Sequence, residues 1–230
     1  MTPPALLLFD IDGTLLLSGR AGLRAMTRAF EQTFGVANAF AGASFGGRTD
    51  SFLVTYALTA AGLPDTPAQH ARFRDTYIPL LAEEIQQPGT GYKGLMPGAR
   101  ELIEALGDHD QLHLALLTGN YRAAAEVKLS HFELSDFFEW GAFSDDAADR
   151  NALVPIARQR AETYDVPAEA LDRVIVIGDT PHDIACARAG GATSLAVATG
   201  GHSVEELRAA GADIVLADLS DTEKVLALLI

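Results

Sequence analysis

Two aspartates, Asp10 and Asp12, directly follow the first apolar run of the sequence, in the segment DIDGT. The run at 5–9 predicts a buried strand, and the carboxyl end of a strand in an open α/β sheet faces the ligand crevice. Residues two apart in an extended chain point to the same side, so the two carboxylates can act together. Such a pair can supply a nucleophile and a general acid and base. The alternative is a turn in which Asp and Gly are only turn formers.

A second polar group, Thr118, Gly119 and Asn120, follows the apolar run at 112–117. Its hydroxyl and backbone N–H groups lead into a helix predicted from residue 121, where they could hold phosphate oxygens. The alternative is helix capping, which suits the same residue types. Lys128 lies nearly three helical turns beyond Thr118, so its position alone does not distinguish a site residue from a solvated surface lysine.

A third group, Asp179 and Asp183, lies in the segment GDTPHD after the apolar run at 173–178. One carboxylate follows the strand and the other falls in the first turn of the next helix, so both can reach the same end of the sheet. Hard oxygen ligands of this kind suit Mg²⁺. Capping of that helix by Asp179 or Thr180 is the alternative.

The elements that must position these residues alternate along the chain. Apolar runs predict strands buried on both faces at 5–9, 112–117, 173–178, 193–198 and 213–217. Helical periodicity predicts helices at 97–107, 121–132, 151–165, 181–189, 203–210 and 221–229. This alternation predicts a doubly wound α/β fold, in which helices cover both faces of a parallel sheet.

Residues 18–91 break the alternation, because they contain no predicted strand and only helical segments at 20–34, 50–62 and 67–87. The block begins just after the first strand and its loop, and it ends in the flexible-looking segment QPGTGYKG. We therefore expect an α/β core made of residues 1–17 and 92–230, with an inserted helical cap domain at 18–91. A block at this end of the sheet is placed to act as a lid.

Charge and composition narrow the range of partners. The 230 residues include 17 basic and 31 acidic ones, and the formal net charge of −14 argues against nucleic acid and anionic membranes as partners. No apolar run approaches the length needed to span a bilayer. The single cysteine, Cys186, suits a reducing compartment. We therefore expect a cytoplasmic protein without a nucleic-acid or membrane partner.

Taken together and in order, DIDGT, LLTGN, Lys128 and GDTPHD resemble the four motifs of the haloacid dehalogenase-like superfamily. The resemblance covers essentially the whole chain and is strongest to the phosphoglycolate-phosphatase-like branch, with residues 18–91 similar to its helical cap of the first type. It implies a Mg²⁺-dependent phosphatase that acts on a small phosphorylated metabolite, such as phosphoglycolate or a sugar phosphate. Whether the protein is a monomer or a homodimer stays open.

The resemblance also implies roles for individual residues. Asp10 would be the nucleophile that forms an aspartyl-phosphate, and Asp12 would be the general acid and base. Mg²⁺ would be held by Asp10, the backbone carbonyl of Asp12 and Asp179, with Asp183 bound directly or through water. Thr118 would hold phosphate oxygens.

Gly119, Asn120 and Thr14 would support this phosphate pocket. Many relatives carry a phosphate-binding lysine in a Lys-Pro pair before the fourth motif, whereas the comparable stretch here, DDAADRNALVP, has Arg150 and no lysine. We favour Lys128 as the phosphate-binding cation and keep Arg150 as the alternative, because the two side chains are not equivalent partners for phosphate.

Substrate selection falls to the inserted block, where Arg48 in the segment GGRTD could pair with a second anionic group, with Thr14 as a further candidate contact. Alternatively, this segment starts a helix that is capped by Thr49 or Asp50 and leaves Arg48 exposed. Two rival functions remain open: a phosphomutase of the same fold, and a catalytically silent regulatory domain.

Overall fold

The computed structural model describes residues 3–230. Its strands in chain order are β1 (Ala5–Phe9), β2 (Leu16–Ser18), β3 (Lys93–Leu95), β4 (Leu112–Leu117), β5 (Gly141–Ala142), β6 (Val174–Gly178), β7 (Thr193–Val197) and β8 (Ile214–Leu216). Six of them form one parallel sheet in the order β5-β4-β1-β6-β7-β8. The expected doubly wound α/β fold is confirmed.

The helices in chain order are α1 (Ala21–Phe34), α2 (Asp50–Ala60), α3 (Pro67–Glu84), α4 (Ala99–Gly107), α5 (Arg122–His131), α6 (Leu153–Ala161), α7 (Pro181–Ala189), α8 (Val204–Ala209) and α9 (Thr222–Leu229). Each predicted helix is present, with ends that differ by a few residues. The helix predicted at 97–107 begins later because Gly98 has a φ of 77°, and the one predicted at 151–165 gives way to 3₁₀ turns after Ala161. The two-residue strand β5 had no counterpart among the predicted strands.

The central strand β1 is fully buried, because its two faces pack against different helical layers. Leu7 and Phe9 belong to the apolar cluster that contains residues of α4, α5 and α9. Leu6 and Leu8 belong to the cluster that contains residues of α6 and α7, including Cys186. Burial raises the pKa of the Cys186 thiol to about 12, so the cysteine is an inert part of the core.

Helices α1, α2 and α3 have an apolar cluster of their own, centred on rings such as Phe30 and Phe73, with centroids 6.2 Å apart. Tyr121, directly before α5, and Ala124 of α5 also belong to this cluster, so the helical block packs against α5. Division of the chain into a core and a cap at 18–91 stays a prediction.

The places where the chain enters and leaves the helical block are held together by an antiparallel pair, β2 and β3. Gly19 adds two backbone hydrogen bonds beyond it, from its N–H to Tyr92 O and from Thr90 N–H to its own carbonyl, both 3.0 Å. The interpretation of QPGTGYKG as a flexible linker is therefore wrong at its end, where Lys93 and Gly94 belong to β3. Ser18 likewise lies in a strand. Strands of two or three residues are too short to show a periodic pattern in the sequence. Their stability comes from the hydrogen bonds to a partner strand.

Across residues 3–230, none of the helices combines the length and the apolar character that crossing a membrane requires.

Candidate active site

The three polar groups predicted from the sequence lie side by side at the carboxyl ends of adjacent strands. β1 lies between β4 and β6, and Phe9 is in register with Leu116 on one side and Ile177 on the other. Asp10, Thr118 and Asp179 each stand at, or within one residue of, the end of these strands. The parallel topology therefore brings residues that are far apart in sequence to one edge of the sheet.

Asp10, Asp179 and Asp183 form a buried carboxylate cluster, in which one oxygen from each lies within 4.8 Å of the others. Burial raises the pKa of Asp10 to about 6, against the opposing effect of Arg150. Burial and the negative charges of Asp183 and Asp10 raise the pKa of Asp179 to about 9. Between residues 3 and 230, Asp179 makes no ion pair. The donor set therefore fits Mg²⁺, which would offset this excess of negative charge.

Asp179 is enclosed by two glycine-containing loops. The backbones of Gly13 and Gly200 pass so close to its carboxylate that a Cβ at either position would overlap it. Thr199 Oγ1 donates a hydrogen bond to the Gly13 carbonyl at 2.5 Å, which ties the two loops together. Sequence reasoning missed Gly200, because the segment that follows β7 carries no chemically distinctive side chain.

The two carboxylate oxygens of Asp183 have different partners: one caps a helix and the other contacts a buried arginine. Its Oδ2 accepts hydrogen bonds from Thr180 N at 3.0 Å and Thr180 Oγ1 at 2.6 Å, as part of a capping box at the start of α7. Its Oδ1 contacts Arg150 Nη2. The alternative interpretation, in which Thr180 caps α7, is thus confirmed, and the carboxylate cluster is present as well.

Arg150 is buried between the carboxylates of Asp10 and Asp183. Its Nη2 lies 3.1 Å from Asp10 Oδ1 and also contacts Asp183 Oδ1. Its Nη1 donates to the Gly47 carbonyl at 3.1 Å and so reaches the helical block. Although burial opposes the charge, Asp10 and Asp183 raise the pKa of the guanidinium above its ordinary value. Arg150 is therefore a permanent positive charge beside Asp10.

Lys128 is buried as well, on the other side of the site. Its Nζ lies 2.5 Å from Asp12 Oδ2 and 2.6 Å from Asn120 Oδ1. Asn120 Nδ2 donates to the same Asp12 oxygen at 2.9 Å. Lys128 is thus a site residue rather than a solvated surface lysine, and two donors fix one oxygen of Asp12.

Thr118 and Thr14 support the site from behind and do not line its cavity. Thr118 Oγ1 accepts hydrogen bonds from Asn120 Nδ2 at 2.7 Å and Asn120 N at 3.3 Å. Thr14 Oγ1 donates to Asp179 Oδ1 at 3.4 Å. Both hydroxyls position neighbouring side chains, and the cavity wall in this region is formed by Gly119 and Asn120.

The segment GGRTD of the helical block crosses directly over the sheet edge. Thr49 caps α2 by accepting from Phe52 N at 3.1 Å, and its hydroxyl also donates to the Ala148 carbonyl at 2.7 Å. Asp50 N donates to Gly119 O at 2.7 Å, and Asp50 Oδ2 accepts from Tyr121 N at 2.8 Å. The capping interpretation is confirmed for Thr49, and Arg48 lies exposed at the cavity rim, 4.5 Å above the Phe52 ring.

A cavity of about 660 Å³ lies between the sheet edge and the helical block. Its floor contains the polar residues described above: Asp10, Asp12, Asn120, Lys128, Arg150 and Asp179. The helical block contributes further wall residues that the sequence did not single out, among them Leu23, Met26, Leu53 and Tyr77. Helical periodicity does not single out these positions, since a cavity-facing side chain has the same helical spacing as a packed one.

Residues 4–191 match the model of a protein family described as haloacid dehalogenase-like hydrolase. A comparison with curated proteins finds no match. Among solved structures, a hydrolase from Pseudomonas syringae has a TM-score of 0.68 at 23% identity and covers 98% of this chain and 99% of its own. A predicted phosphoglycolate phosphatase from Haemophilus somnus has a TM-score of 0.69 at 19% identity, with 98% and 99% covered.

The protein CbbY from Rhodobacter sphaeroides, solved in complex with phosphate, has a TM-score of 0.67 at 22% identity. The match covers 95% of this chain and 96% of that one. At identities this low, the three structures establish a shared fold over nearly the full length of the chain.

Proposed function

This chain belongs to the haloacid dehalogenase-like hydrolases, and we propose that it is a Mg²⁺-dependent phosphatase that hydrolyses a small phosphomonoester through an aspartyl-phosphate at Asp10. One observation carries the proposal: Asp10 and Asp12 face the same cavity with different electrostatic partners. Asp10 lies among carboxylates and Arg150, whereas Asp12 is held by Lys128. Two carboxylates in such different surroundings are suited to two different tasks.

In the first step, a carboxylate oxygen of Asp10 attacks phosphorus, and the bond between phosphorus and the ester oxygen breaks. The leaving alkoxide takes a proton from Asp12, so a neutral alcohol departs. Asp12 can present Oδ1 to the leaving group because Lys128 and Asn120 occupy Oδ2. The product of this step is an aspartyl-phosphate.

In the second step, Asp12 acts in the opposite sense. It takes a proton from a water molecule, whose oxygen attacks phosphorus and displaces the Asp10 carboxylate. Inorganic phosphate leaves, Asp10 is restored, and Asp12 again carries the proton that it lost in the first step. The same side chain can serve both steps, since its hydrogen bonds to Lys128 and Asn120 keep it in place.

The positive charge for both steps comes from three sources. Mg²⁺ would be held by Asp10, the backbone carbonyl of Asp12 and Asp179, and when bound it would neutralise charge on the phosphate oxygens. Arg150 would add a charge beside the nucleophile. We assign Asp183 to the positioning of Arg150 and the start of α7, and Lys128 to the orientation of Asp12 as well as to the phosphate.

We further propose that residues 18–91 act as a cap that closes the cavity. The contacts of Thr49, Asp50 and Ser51 with the loops after β4 and β5 support this, because they lie at the edge of the floor. Closure would exclude bulk water while the ester is held.

The test is hydrolysis of p-nitrophenyl phosphate with and without Mg²⁺. We expect phosphate release that is lost with a chelator, restored by Mg²⁺ and abolished in Asp10→Asn. The matched control is Asp110→Asn, which changes an exposed aspartate in the turn before β4, away from the site. Full activity in Asp10→Asn, or no activity of the parent protein across a broad set of phosphate esters, would contradict the proposal. Conversion of a sugar phosphate into its isomer without phosphate release would indicate a mutase instead.

A further inference from the structure

One buried carboxyl group of the helical block has no role in the two steps of the proposed reaction. Asp50, the first residue of α2, is only 7% exposed and lines the cavity. Burying a carboxyl group is costly, so its partners indicate what it does there. Burial raises its pKa to about 7, against the opposing effects of the Lys128 charge and of a hydrogen bond from the Tyr121 N–H. Near neutral pH the group is therefore present in both protonation states, and each of them has an oxygen that can accept a hydrogen bond.

Asp50 binds the backbone on both sides of Asn120. Its N–H donates to the Gly119 carbonyl at 2.7 Å, and its Oδ2 accepts from the Tyr121 N–H at 2.8 Å. The carbonyl of Asn120 itself accepts from the Ser144 N–H at 2.9 Å. Because each peptide group is planar, holding the groups on both sides of Asn120 fixes the direction in which its side chain leaves the backbone.

The side chain of Asn120 in turn connects the two residues on the proton-donating side of the site. Its Nδ2 donates to Asp12 Oδ2 at 2.9 Å, and its Oδ1 accepts from Lys128 Nζ at 2.6 Å. Lys128 Nζ lies 2.5 Å from the same Asp12 oxygen. A continuous series of hydrogen bonds therefore runs from Asp50 through Asn120 to Asp12.

We infer that Asp50 is a positioning residue, which acts through Asn120 to fix the orientation of Asp12, the proton donor of the first step. This inference rests on the proposed function, because it takes Asp12 as the general acid. Loss of the Asp50 carboxyl group should impair proton donation more than the attack of Asp10 on phosphorus. An ester with a poor leaving group depends on the donated proton, whereas p-nitrophenyl phosphate depends on it much less.

The experiment measures kcat/KM for two esters in each variant. One is the best substrate among a panel of sugar and polyol phosphates, whose alkoxide is a poor leaving group, and the other is p-nitrophenyl phosphate. For Asp50→Ala, we expect kcat/KM to fall about 20-fold with the alkyl phosphate and at most about threefold with p-nitrophenyl phosphate. The ratio of the two values does not depend on the fraction of folded protein, so partial misfolding cannot produce this difference.

A conservative variant and a matched control separate the hydrogen bond from a general effect on α5. Asp50→Asn keeps an oxygen that can accept from the Tyr121 N–H, so its ratio should stay within about threefold of the parent value. Asp145 Oδ2 accepts from the next backbone N–H, that of Arg122, at 2.6 Å, but this bond does not flank Asn120. Asp145→Ala should therefore leave the ratio within about twofold of the parent value.

Asn120→Ala tests whether Asp50 acts through Asn120. In this background, Asp50→Ala should change the ratio by less than about twofold, because two residues that act through one another do not have independent effects. The inference is overturned if the effects of the two substitutions on the ratio multiply, or if Asp50→Ala affects both esters equally. It is also overturned if Asp50→Asn is no better than Asp50→Ala, or if Asp145→Ala changes the ratio as much. If the parent protein hydrolyses neither kind of ester, the proposed function itself fails, and the inference with it.

Discussion

Lys128 Nζ lies 2.5 Å from Asp12 Oδ2, whereas Arg150 Nη2 lies 3.1 Å from Asp10 Oδ1. The two buried cations are therefore divided between the two carboxylates to which the proposed mechanism gives a role. Each cation fixes the orientation of the carboxylate that it contacts. This division gives the two cations different expected kinetic signatures.

Lys128→Met should slow the hydrolysis of alkyl phosphates more than that of p-nitrophenyl phosphate. The variant leaves Asp12 without its charged partner, and proton donation matters most when the leaving group is a poor one. We expect kcat/KM to fall about 100-fold for an alkyl phosphate and about tenfold or less for p-nitrophenyl phosphate, whose leaving group departs readily without a proton. The kcat/KM ratio is the right measurement, since it reports only the steps up to departure of the leaving group.

Arg150→Lys is the comparison variant for this prediction, because it keeps the charge near Asp10 but not the guanidinium, whose Nη2 contacts both Asp10 and Asp183. We expect it to lower kcat/KM for both esters by the same factor, since it acts on the nucleophile and the phosphate rather than on proton transfer. If Lys128→Met also affected both esters equally, Lys128 would be serving the phosphate and not Asp12.

Gly119→Ala should displace the start of α2 from the sheet edge. A Cβ at Gly119 would overlap the Arg48 carbonyl oxygen and would lie 3.1 Å from Thr49 Cα. Because backbone atoms cannot move as freely as side chains, we expect a loss of about 1–3 kcal/mol in the free energy of unfolding. We also expect a drop of about tenfold in kcat/KM for every ester. Denaturant unfolding and steady-state kinetics measure the two effects.

Gly46→Ala is the matched control, since a Cβ there would meet no atom within 4 Å. Its effect on the free energy of unfolding should stay within about 0.5 kcal/mol. If Gly119→Ala were equally neutral, the close contact between Gly119 and the segment at 47–50 would be unimportant in solution, and the proposed closure of the cap would lose its main support.

The sequence predicted the α/β core well because its signals are local. Each buried strand is a continuous apolar run, and Asp10 and Asp179 each directly follow one, so the parallel topology alone brings these two carboxylates together. The short strands β2, β3 and β5 were missed, since two or three residues carry no periodicity and are stabilised only by partners distant in sequence.

The partner of each cation was beyond the reach of sequence reasoning. Lys128 and Asp12 are 116 residues apart, and nothing local reveals whether a helical lysine points inward. Tyr77 was hidden for a related reason: it occupies an ordinary core position of α3, and only the glycine opposite, Gly22, turns that position into a cavity wall. Spacing identifies the face of a helix, but what lies opposite that face depends on tertiary packing.

Glu84→Gln should weaken the helical block in a way that depends on pH. Glu84 accepts from Arg24 Nε at 2.7 Å and from Arg28 Nη1 at 2.6 Å, joining α1 to α3, and its side chain is only 11% exposed. The hydrogen bond from Arg24 is the main reason why its pKa is lowered from 4.5, and the bond from Arg28 adds to this against the opposing effect of burial. The paired carboxylate therefore contributes stability that is fully present above pH 4.5. This contribution is lost as the pH falls through the lower folded-state value.

At neutral pH we expect Glu84→Gln to reduce the free energy of unfolding by about 1–2 kcal/mol, since glutamine has no negative charge and only one acceptor oxygen for the two arginines. The difference from the parent protein should shrink as the pH falls below 4.5, and it should be smallest below the lowered pKa of Glu84 in the folded state, where both proteins carry an uncharged group at this position. Glu83→Gln is the control, because Glu83 is 63% exposed and contacts Arg28 at 3.3 Å. Its effect should stay within about 0.5 kcal/mol at any pH. Denaturant unfolding across this pH range decides the matter: a difference for Glu84→Gln that does not change with pH would mean that shape, and not charge, links the two helices.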